Sequence, residues 1–283
     1  MKKLIVLSIF AGITVFLYPG NACGDEIRIL FTSNANGKIE NCDCPDLPYG
    51  ALEKRAQFIH EYREKYPDAL VVDNGDNFLS YDTELKFPII ITAFQLSRYD
   101  VINLGDQDLA FAPDDYFEVK GVINRHGRAL SLPKGGTSFS VLPVMHPSTR
   151  KFYPENTFAN AQFSNPVVDI KEWLRTTQSR EVFTVLLSHS GFQEDAAYAQ
   201  AFPDINLIIG GHSQTRIDTL LTVNGVPIVQ GGGNAQYVGE IRFVKEADRF
   251  NPVYYHLHPL RKEMANHPKM DALLESYHTK IPR

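Results

Sequence analysis

Two histidines, each placed directly after a strongly apolar run, constrain this chain more than any other feature. His189 follows an apolar run at residues 182–187, and His212 follows another at residues 205–209. Short runs of this length that end at serine or glycine are typical of buried strands. In α/β folds, the loops at the carboxyl ends of such strands carry ligand-binding and metal-binding side chains. The two histidines are therefore predicted to lie together at one sheet edge.

Apolar runs and amphipathic segments alternate along the chain up to about residue 211. Strands are predicted at residues 26–31, 69–72, 101–104 and 138–144, and helices at residues 51–66, 88–99 and 166–177. Consecutive strands without helices between them are predicted at residues 226–230, 238–244 and 253–257, before a last helix from about residue 268. This order predicts an α/β fold of two stacked mixed β-sheets flanked by helices.

The composition is that of an ordinary soluble domain, with 43% hydrophobic and 22% charged residues among 283. The net charge of −5, with scattered lysines and arginines, argues against a nucleic-acid partner. No repeat or low-complexity linker interrupts residues 25–283, so we expect them to form a single domain.

The first residues have the pattern of a secretory signal peptide, with a basic start and an apolar stretch too short to span a membrane. Residues 1–24 are therefore predicted to be a signal peptide, with cleavage after Ala22 or Gly24 and export to the periplasm or the cell exterior. Cleavage after Ala22 would leave Cys23 as the first residue, where a lipid would anchor the protein to a membrane. Gly20 stands where the lipid-attachment motif normally has an aliphatic residue.

Five junctions between predicted strands and loops carry polar side chains. They are Asn34-Ala35-Asn36-Gly37, Gly75-Asp76-Asn77, Gly105-Asp106-Gln107-Asp108, Ser188-His189-Ser190-Gly191 and Gly211-His212-Ser213-Gln214. In order, spacing and strand context they resemble the calcineurin-like metallophosphoesterases, in particular the catalytic domain of bacterial periplasmic 5'-nucleotidases. The resemblance covers roughly residues 27–243. It implies a metallo-dependent phosphatase-like four-layer sandwich.

The resemblance also implies a metal centre. Asp76 would bridge two ions in the family, and one of these ions would be completed by Asp106, His189 and His212. Two carboxylates and two imidazoles suit Zn²⁺, Mn²⁺ or Fe²⁺. The implied reaction is metal-assisted hydrolysis of a small anionic substrate such as a phosphate ester.

Several positions depart from the family pattern. Asn34 and Asn36 replace an aspartate and a histidine that hold the second ion, and its last ligand position is Gln214. We therefore expect one ion, with the second position weak or empty. Gln107 stands where the family has a histidine that assists the leaving group, and the acidic partner of that histidine falls at Ala110. The catalytic side chains are therefore unknown from the sequence, and activity is left open.

Cys42 and Cys44 follow Asn36 on the same predicted loop. They either brace the loop, supply soft thiolate ligands to an ion, or form a redox pair. Two alternatives to a phosphoesterase therefore stand: a non-catalytic binding or scaffold protein of the same fold, and a thiol-redox or soft-metal protein. No C-terminal nucleotidase domain is expected, so nucleotide specificity is not carried over. Protein partners and oligomeric state are not predicted.

Overall fold

The computed structural model describes residues 26–41, 49–123, 127–158, 161, 163–177 and 179–281. Its strands are β1 Ile27–Thr32, β2 Leu70–Asp73, β3 Val101–Ile102, β4 Leu130–Lys134, β5 Thr137–Val144, β6 Val182–Ser188, β7 Leu207–Gly210, β8 Leu221–Val223, β9 Val226–Val229, β10 Tyr237–Glu246 and β11 Arg249–Pro259. Its helices are α1 Leu52–Lys65, α2 Phe87–Ser97, α3 Asp106–Phe111, α4 Asp114–Phe117, α5 Pro166–Thr176, α6 Phe192–Ala201 and α7 Pro268–Lys280, with 3₁₀ turns at Pro147–Phe152 and Glu155–Phe158.

The strands form two mixed sheets. The first sheet has the order β11-β10-β1-β2-β3, in which β1, β2 and β3 are parallel. The second has the order β4-β5-β6-β7-β9-β8, in which β5, β6, β7 and β9 are parallel. Antiparallel strands complete one edge of the first sheet and both edges of the second. The predicted α/β fold of two mixed sheets flanked by helices is confirmed.

Apolar side chains alternate between the faces of β1 and so define the layers. Ile29 and Phe31 pack against residues of the second sheet such as Val185, whereas Leu30 packs against the helical layer with residues such as Ile59 of α1. Helices α5 and α6 cover the outer face of the second sheet. The period of two along a strand therefore places one apolar layer between the sheets and one outside each.

The consecutive strands predicted between residues 226 and 257 do not all lie in one sheet, which refines the sequence prediction. Strand β9 pairs in parallel with β7, whereas β10 pairs antiparallel with β1 in the other sheet. All four residues of β9 are buried, as suits a strand whose sheet is covered on both faces. Strand β11 lies at a sheet edge, and most of its residues are half-buried or exposed. No helix within the described ranges is both long enough and apolar enough to cross a membrane.

Candidate metal centre

The four predicted metal ligands lie beyond the carboxyl ends of strands from both sheets. Asp76 follows β2, and Asp106 follows β3. His189 follows β6, and His212 follows β7. One ligand atom from each residue lies within 4.8 Å of the others. The predicted convergence is therefore present. His212 is half-buried and the other three are buried, so the cluster reaches solvent on the His212 side.

The loops that hold two of these residues adopt an uncommon backbone conformation. Asp76 has a φ of 61° and His212 a φ of 64°. Side chains other than glycine rarely occupy this left-handed region, and each such residue costs roughly 1–3 kcal/mol. The surrounding contacts must therefore hold both residues in place, which is a common property of functional sites.

The charges in the cluster favour a cation at its centre. His189 Nε2 lies 3.2 Å from Asp76 Oδ2 and 3.2 Å from Asp106 Oδ1, while His212 Nδ1 lies 2.8 Å from the same Asp106 oxygen. Burial favours the neutral acid, but the two imidazoles hold the pKa of Asp106 well below its usual range. Burial also opposes a charged His189, yet the two carboxylates raise the pKa of that imidazole well above its usual value. A positive charge is thus stabilised between the carboxylates.

The orientation of His189 fits a metal ligand. Its Nδ1 lies 2.6 Å from the backbone oxygen of Asn74, so we assign the proton to Nδ1 as a donor. Its buried Nε2 faces the two carboxylates but has no hydrogen-bond partner of acceptable geometry. Metal-binding histidines normally donate through one ring nitrogen and offer the other to the ion. Two oxygens and two nitrogens then match the ligand set of a divalent transition metal.

Two glycines allow the loops to approach closely. A Cβ atom on Gly105 would lie 2.1 Å from Asp76 Oδ1 and 2.7 Å from His189 Cε1. A Cβ atom on Gly211 would lie 2.8 Å from His189 Nδ1. Such distances are far inside van der Waals contact, so any larger residue would displace the ligands.

Two buried asparagines, whose role the sequence did not reveal, connect the sheets beneath the cluster. Asn74 Nδ2 donates to the backbone oxygens of Ser188 at 2.9 Å and Ile209 at 2.8 Å, on β6 and β7. Asn103 Nδ2 donates to Asn74 Oδ1 at 2.8 Å and to the backbone oxygen of Leu187 at 3.2 Å. These bonds fix the strand ends of one sheet against the other.

Asp108 ties the loops after β2 and β3 together, and sequence reasoning also missed this role. Its Oδ2 accepts the backbone N–H groups of Asp76 at 2.8 Å and Gly105 at 2.9 Å, and its Oδ1 accepts that of Asn77 at 2.7 Å. Burial, followed by the charge of Asp76, raises the pKa of Asp108 to about 7. Its position on the first turn of α3, two residues after Asp106, was the only sequence signal.

The residues predicted to form a weak second metal position hydrogen-bond to the protein instead. Asn34 Oδ1 accepts the backbone N–H of His212 at 3.1 Å, and Asn34 Nδ2 donates to the backbone oxygen of Gly232 at 3.0 Å. Asn36 Nδ2 donates to Asn234 Oδ1 at 3.2 Å. These amides serve as structural hydrogen-bond partners, and weak cation binding at this position stays a prediction.

Gln107, at the position of the family histidine, orients Asp76. Its backbone N–H donates to Asp76 Oδ1 at 3.0 Å, and its Nε2 donates to Asp76 Oδ2 at 3.1 Å and to Asn36 Oδ1 at 3.4 Å. An amide has no proton that titrates near neutral pH, so Gln107 is not a general acid. Ala110 lies one turn further along α3, and Gln214 is exposed beside Gly233.

A tyrosine that the sequence did not single out reaches the cluster. The hydroxyl of Tyr153 donates to Asp106 Oδ2 at 2.5 Å. Burial, followed by this hydrogen bond, raises the pKa of Tyr153, so the hydroxyl stays protonated at neutral pH. Cys23, Cys42 and Cys44 lie outside the described residues, and the thiol and lipid hypotheses stay predictions.

No protein-family model matches the sequence. Similar proteins include the uncharacterized metallophosphoesterase YunD of Bacillus subtilis, 25% identical over 238 residues, which cover 76% of this chain and 49% of that protein. The 5'-nucleotidase of Homo sapiens is 21% identical over 310 residues, which cover 90% of this chain and 53% of that protein. The chain thus spans about half the length of these curated relatives.

Solved structures share the fold. The 5'-nucleotidase precursor of Thermus thermophilus superposes with a TM-score of 0.74 at 18% identity, covering 90% of this chain and 58% of that chain. At such low identity the superposition shows the fold alone. In fold and in sequence, this chain is thus similar to metallophosphoesterases and 5'-nucleotidases.

Proposed function

We propose that this protein binds a divalent transition metal through Asp76, Asp106, His189 and His212, and that it hydrolyses a phosphate ester or a similar small anion with the help of that metal. The observation that carries the proposal is the buried Nε2 of His189, which faces two carboxylates without a hydrogen-bond partner. An ion placed there would satisfy this nitrogen and both acids at once.

One ion of Zn²⁺, Mn²⁺ or Fe²⁺ is the expected content. The four ligands provide the nitrogen and oxygen donors that these metals prefer. The neighbouring position offers amide oxygens from Asn34 and Asn36, and these oxygens already accept hydrogen bonds. A second ion would therefore bind weakly or not at all.

When bound, a divalent metal polarises a phosphate oxygen and lowers the pKa of a coordinated water. The chain's own residues prepare the site for that chemistry. Gln107 holds both oxygens of Asp76, and Asn74 fixes the His189 ring. Gln107 cannot protonate a leaving group, and general acid–base assistance is typically worth about 10²–10⁴-fold in rate. We therefore expect slow hydrolysis that favours esters with a good leaving group.

Metal content and turnover test the proposal together. After incubation of the purified protein with Mn²⁺ or Zn²⁺ and removal of excess ion, we expect close to one bound equivalent and hydrolysis of nitrophenyl phosphate. His189→Ala and His212→Ala should each lower metal affinity by at least about 10-fold and lower turnover with it. The matched control is His256→Ala on β11, which should leave both unchanged.

Failure to bind an ion and failure to hydrolyse a substrate would contradict different parts of the proposal. Less than about 0.1 equivalent of ion after incubation contradicts the proposed site, because such ligands hold an ion well at neutral pH. One tightly bound ion without turnover of nitrophenyl phosphate or nucleotides would leave the metal site standing and refute the hydrolase.

We also propose export, with removal of residues 1–22 or 1–24 and, in the first case, a lipid on Cys23. The support is the basic start and apolar stretch of the first residues. Intact-mass measurement of the mature protein from a fractionated cell tests it. A chain that begins at Asp25 contradicts the lipid, and a chain in the cytoplasm that still carries residues 1–22 contradicts export.

A further inference from the structure

The connection between β5 and α5 brings Tyr153 to the metal cluster. Tyr153 lies between the two 3₁₀ turns of this connection. Its hydroxyl donates to Asp106 Oδ2 at 2.5 Å. The other oxygen, Oδ1, faces His189 and His212. The two oxygens of Asp106 thus have different partners: Oδ2 contacts Tyr153, and Oδ1 contacts the two histidines.

Packing fixes where this hydroxyl lies. The Tyr153 ring is 5.0 Å from the ring of buried Phe158 in an edge-on contact, and 6.0 Å from the ring of Phe111 on α3. Helix α3 also begins with Asp106, so the ring and the carboxylate rest on the same helix. The connection is anchored at its start, where the backbone N–H of His146 donates to Ser190 Oγ at 3.0 Å. The donor is therefore held by packed rings and not by a free loop.

We propose that Tyr153 is a positioning residue for the metal site, which holds Asp106 so that only Oδ1 is offered to the ion. This inference rests on the proposed metal-binding function. A carboxylate without such a bond can bind a cation through one oxygen or through both. Hydrogen bonds to a ligand from outside the coordination sphere typically change metal affinity by about 10–100-fold.

If Asp106 binds the ion through Oδ1 alone, the site should prefer some metals over others. With Oδ2 occupied by Tyr153, the site supplies two oxygens and two nitrogens, the number and type of donors that Zn²⁺ prefers. Release of Oδ2 would let Asp106 add a fifth donor and would favour larger cations that take more oxygen ligands. Tyr153 would then raise the preference for Zn²⁺ over Ca²⁺.

The isosteric substitution Tyr153→Phe tests the inference, with Tyr81→Phe as control because Tyr81 is 70% exposed. After removal of metal with a chelator, Zn²⁺ titration should show about 10–100-fold weaker binding for Tyr153→Phe and unchanged binding for the control. The visible spectrum of the Co²⁺-loaded variant should weaken, as expected for a higher coordination number. The metal-free melting temperature should fall by no more than a few degrees, as expected for the loss of one hydrogen bond. Zn²⁺ affinity within about twofold of wild type and an unchanged Co²⁺ spectrum would overturn the inference.

A second comparison, made in the Asp106→Asn variant, separates the effect of the Tyr153 hydroxyl from a general effect on packing. In Asp106→Asn, the side chain has no second carboxylate oxygen for Tyr153 to hold. Adding Tyr153→Phe there should change Zn²⁺ affinity by less than about threefold, because the two residues are coupled. An equal loss in both backgrounds would overturn the inference. A wild-type protein that binds no ion refutes the proposed function itself, whereas normal binding by both wild type and Tyr153→Phe refutes only this inference.

Discussion

At the scale of single residues, the close approach of the loops after β2 and β3 depends on Gly105. A methyl group there would lie 2.1 Å from Asp76 Oδ1 and 2.5 Å from the backbone nitrogen of Asp76. Gly105→Ala should therefore lower the free energy of unfolding by about 1–3 kcal/mol and weaken metal binding. Gly231→Ala is the control, since the nearest atom to its Cβ position is 4.0 Å away, and should change stability by less than about 0.5 kcal/mol. Equal urea midpoints for the two variants would contradict this reasoning.

A buried acid on α6 gives a second residue-scale prediction. Asp195 is fully buried, and neither carboxyl oxygen has a hydrogen-bond partner of acceptable geometry among the described residues. Burial raises the pKa of Asp195 to about 8. The folded state therefore binds one more proton than the unfolded state between about pH 4 and pH 8. Stability from this group is fully present below about pH 4 and is lost as the pH rises towards 8, by about 1.4 kcal/mol per pH unit.

Asp195→Asn removes this titration with little change in shape. Urea unfolding of the metal-free wild type and variant at several values between pH 5 and pH 8 gives the free-energy difference. That difference should shift in favour of the asparagine variant as the pH rises, and parallel stability curves would show that the folded pKa of Asp195 is not raised. The comparison cancels other titrating groups, since both proteins carry them.

At the scale of elements, Asp108 on α3 joins two loops that belong to neighbouring strands. It accepts three backbone N–H groups, from Gly105, Asp76 and Asn77. In Asp108→Asn the amide N–H₂ group must face at least one of these donors, which costs about 1–3 kcal/mol of stability. Metal affinity should fall as well, because the loop that carries Asp76 is displaced. Exposed Asp68→Asn is the matched control, and similar midpoints for both would contradict the role of Asp108.

Sequence periodicity revealed the elements that are long and buried. The apolar runs before His189 and His212 correspond to β6 and β7, because a strand covered on both faces is apolar throughout. The edge strands β4 and β8 were not predicted, because they have only five and three residues and none of these residues is fully buried. Helix α3 has only six residues, too few for helical spacing to be recognised.

The same reasoning explains what the sequence revealed of the site. Asp76 and Asp106 follow neighbouring strands of one sheet, and His189 and His212 follow neighbouring strands of the other, so the strand pattern predicts each pair. That the two pairs meet was predicted by the resemblance to the metallophosphoesterases. Tyr153 follows a 3₁₀ turn and not a strand, so no periodicity marks it. The bonds of Asn74 depend on how the two sheets stack, and alternation within strands does not encode that stacking.

At the scale of the whole molecule, the candidate metal centre spans the two sheets. Asp76 and Asp106 extend from the first sheet, and His189 and His212 extend from the second. An ion bound by all four would therefore link the sheets at their carboxyl edge, where Asn74 already bridges them. Metal binding should for this reason stabilise the fold as a whole.

Thermal unfolding measures that link. An ion at about 100 times its dissociation constant adds about 2.7 kcal/mol to a folded state that alone binds it. For a domain of this size, that gain corresponds to a rise in melting temperature of about 5–10 °C. The double variant His189→Ala/His212→Ala should lose the shift with Zn²⁺ or Mn²⁺, whereas His256→Ala should keep it. The same rise in the double variant would mean that the ion binds elsewhere, and that the sheets are not joined by metal at this edge.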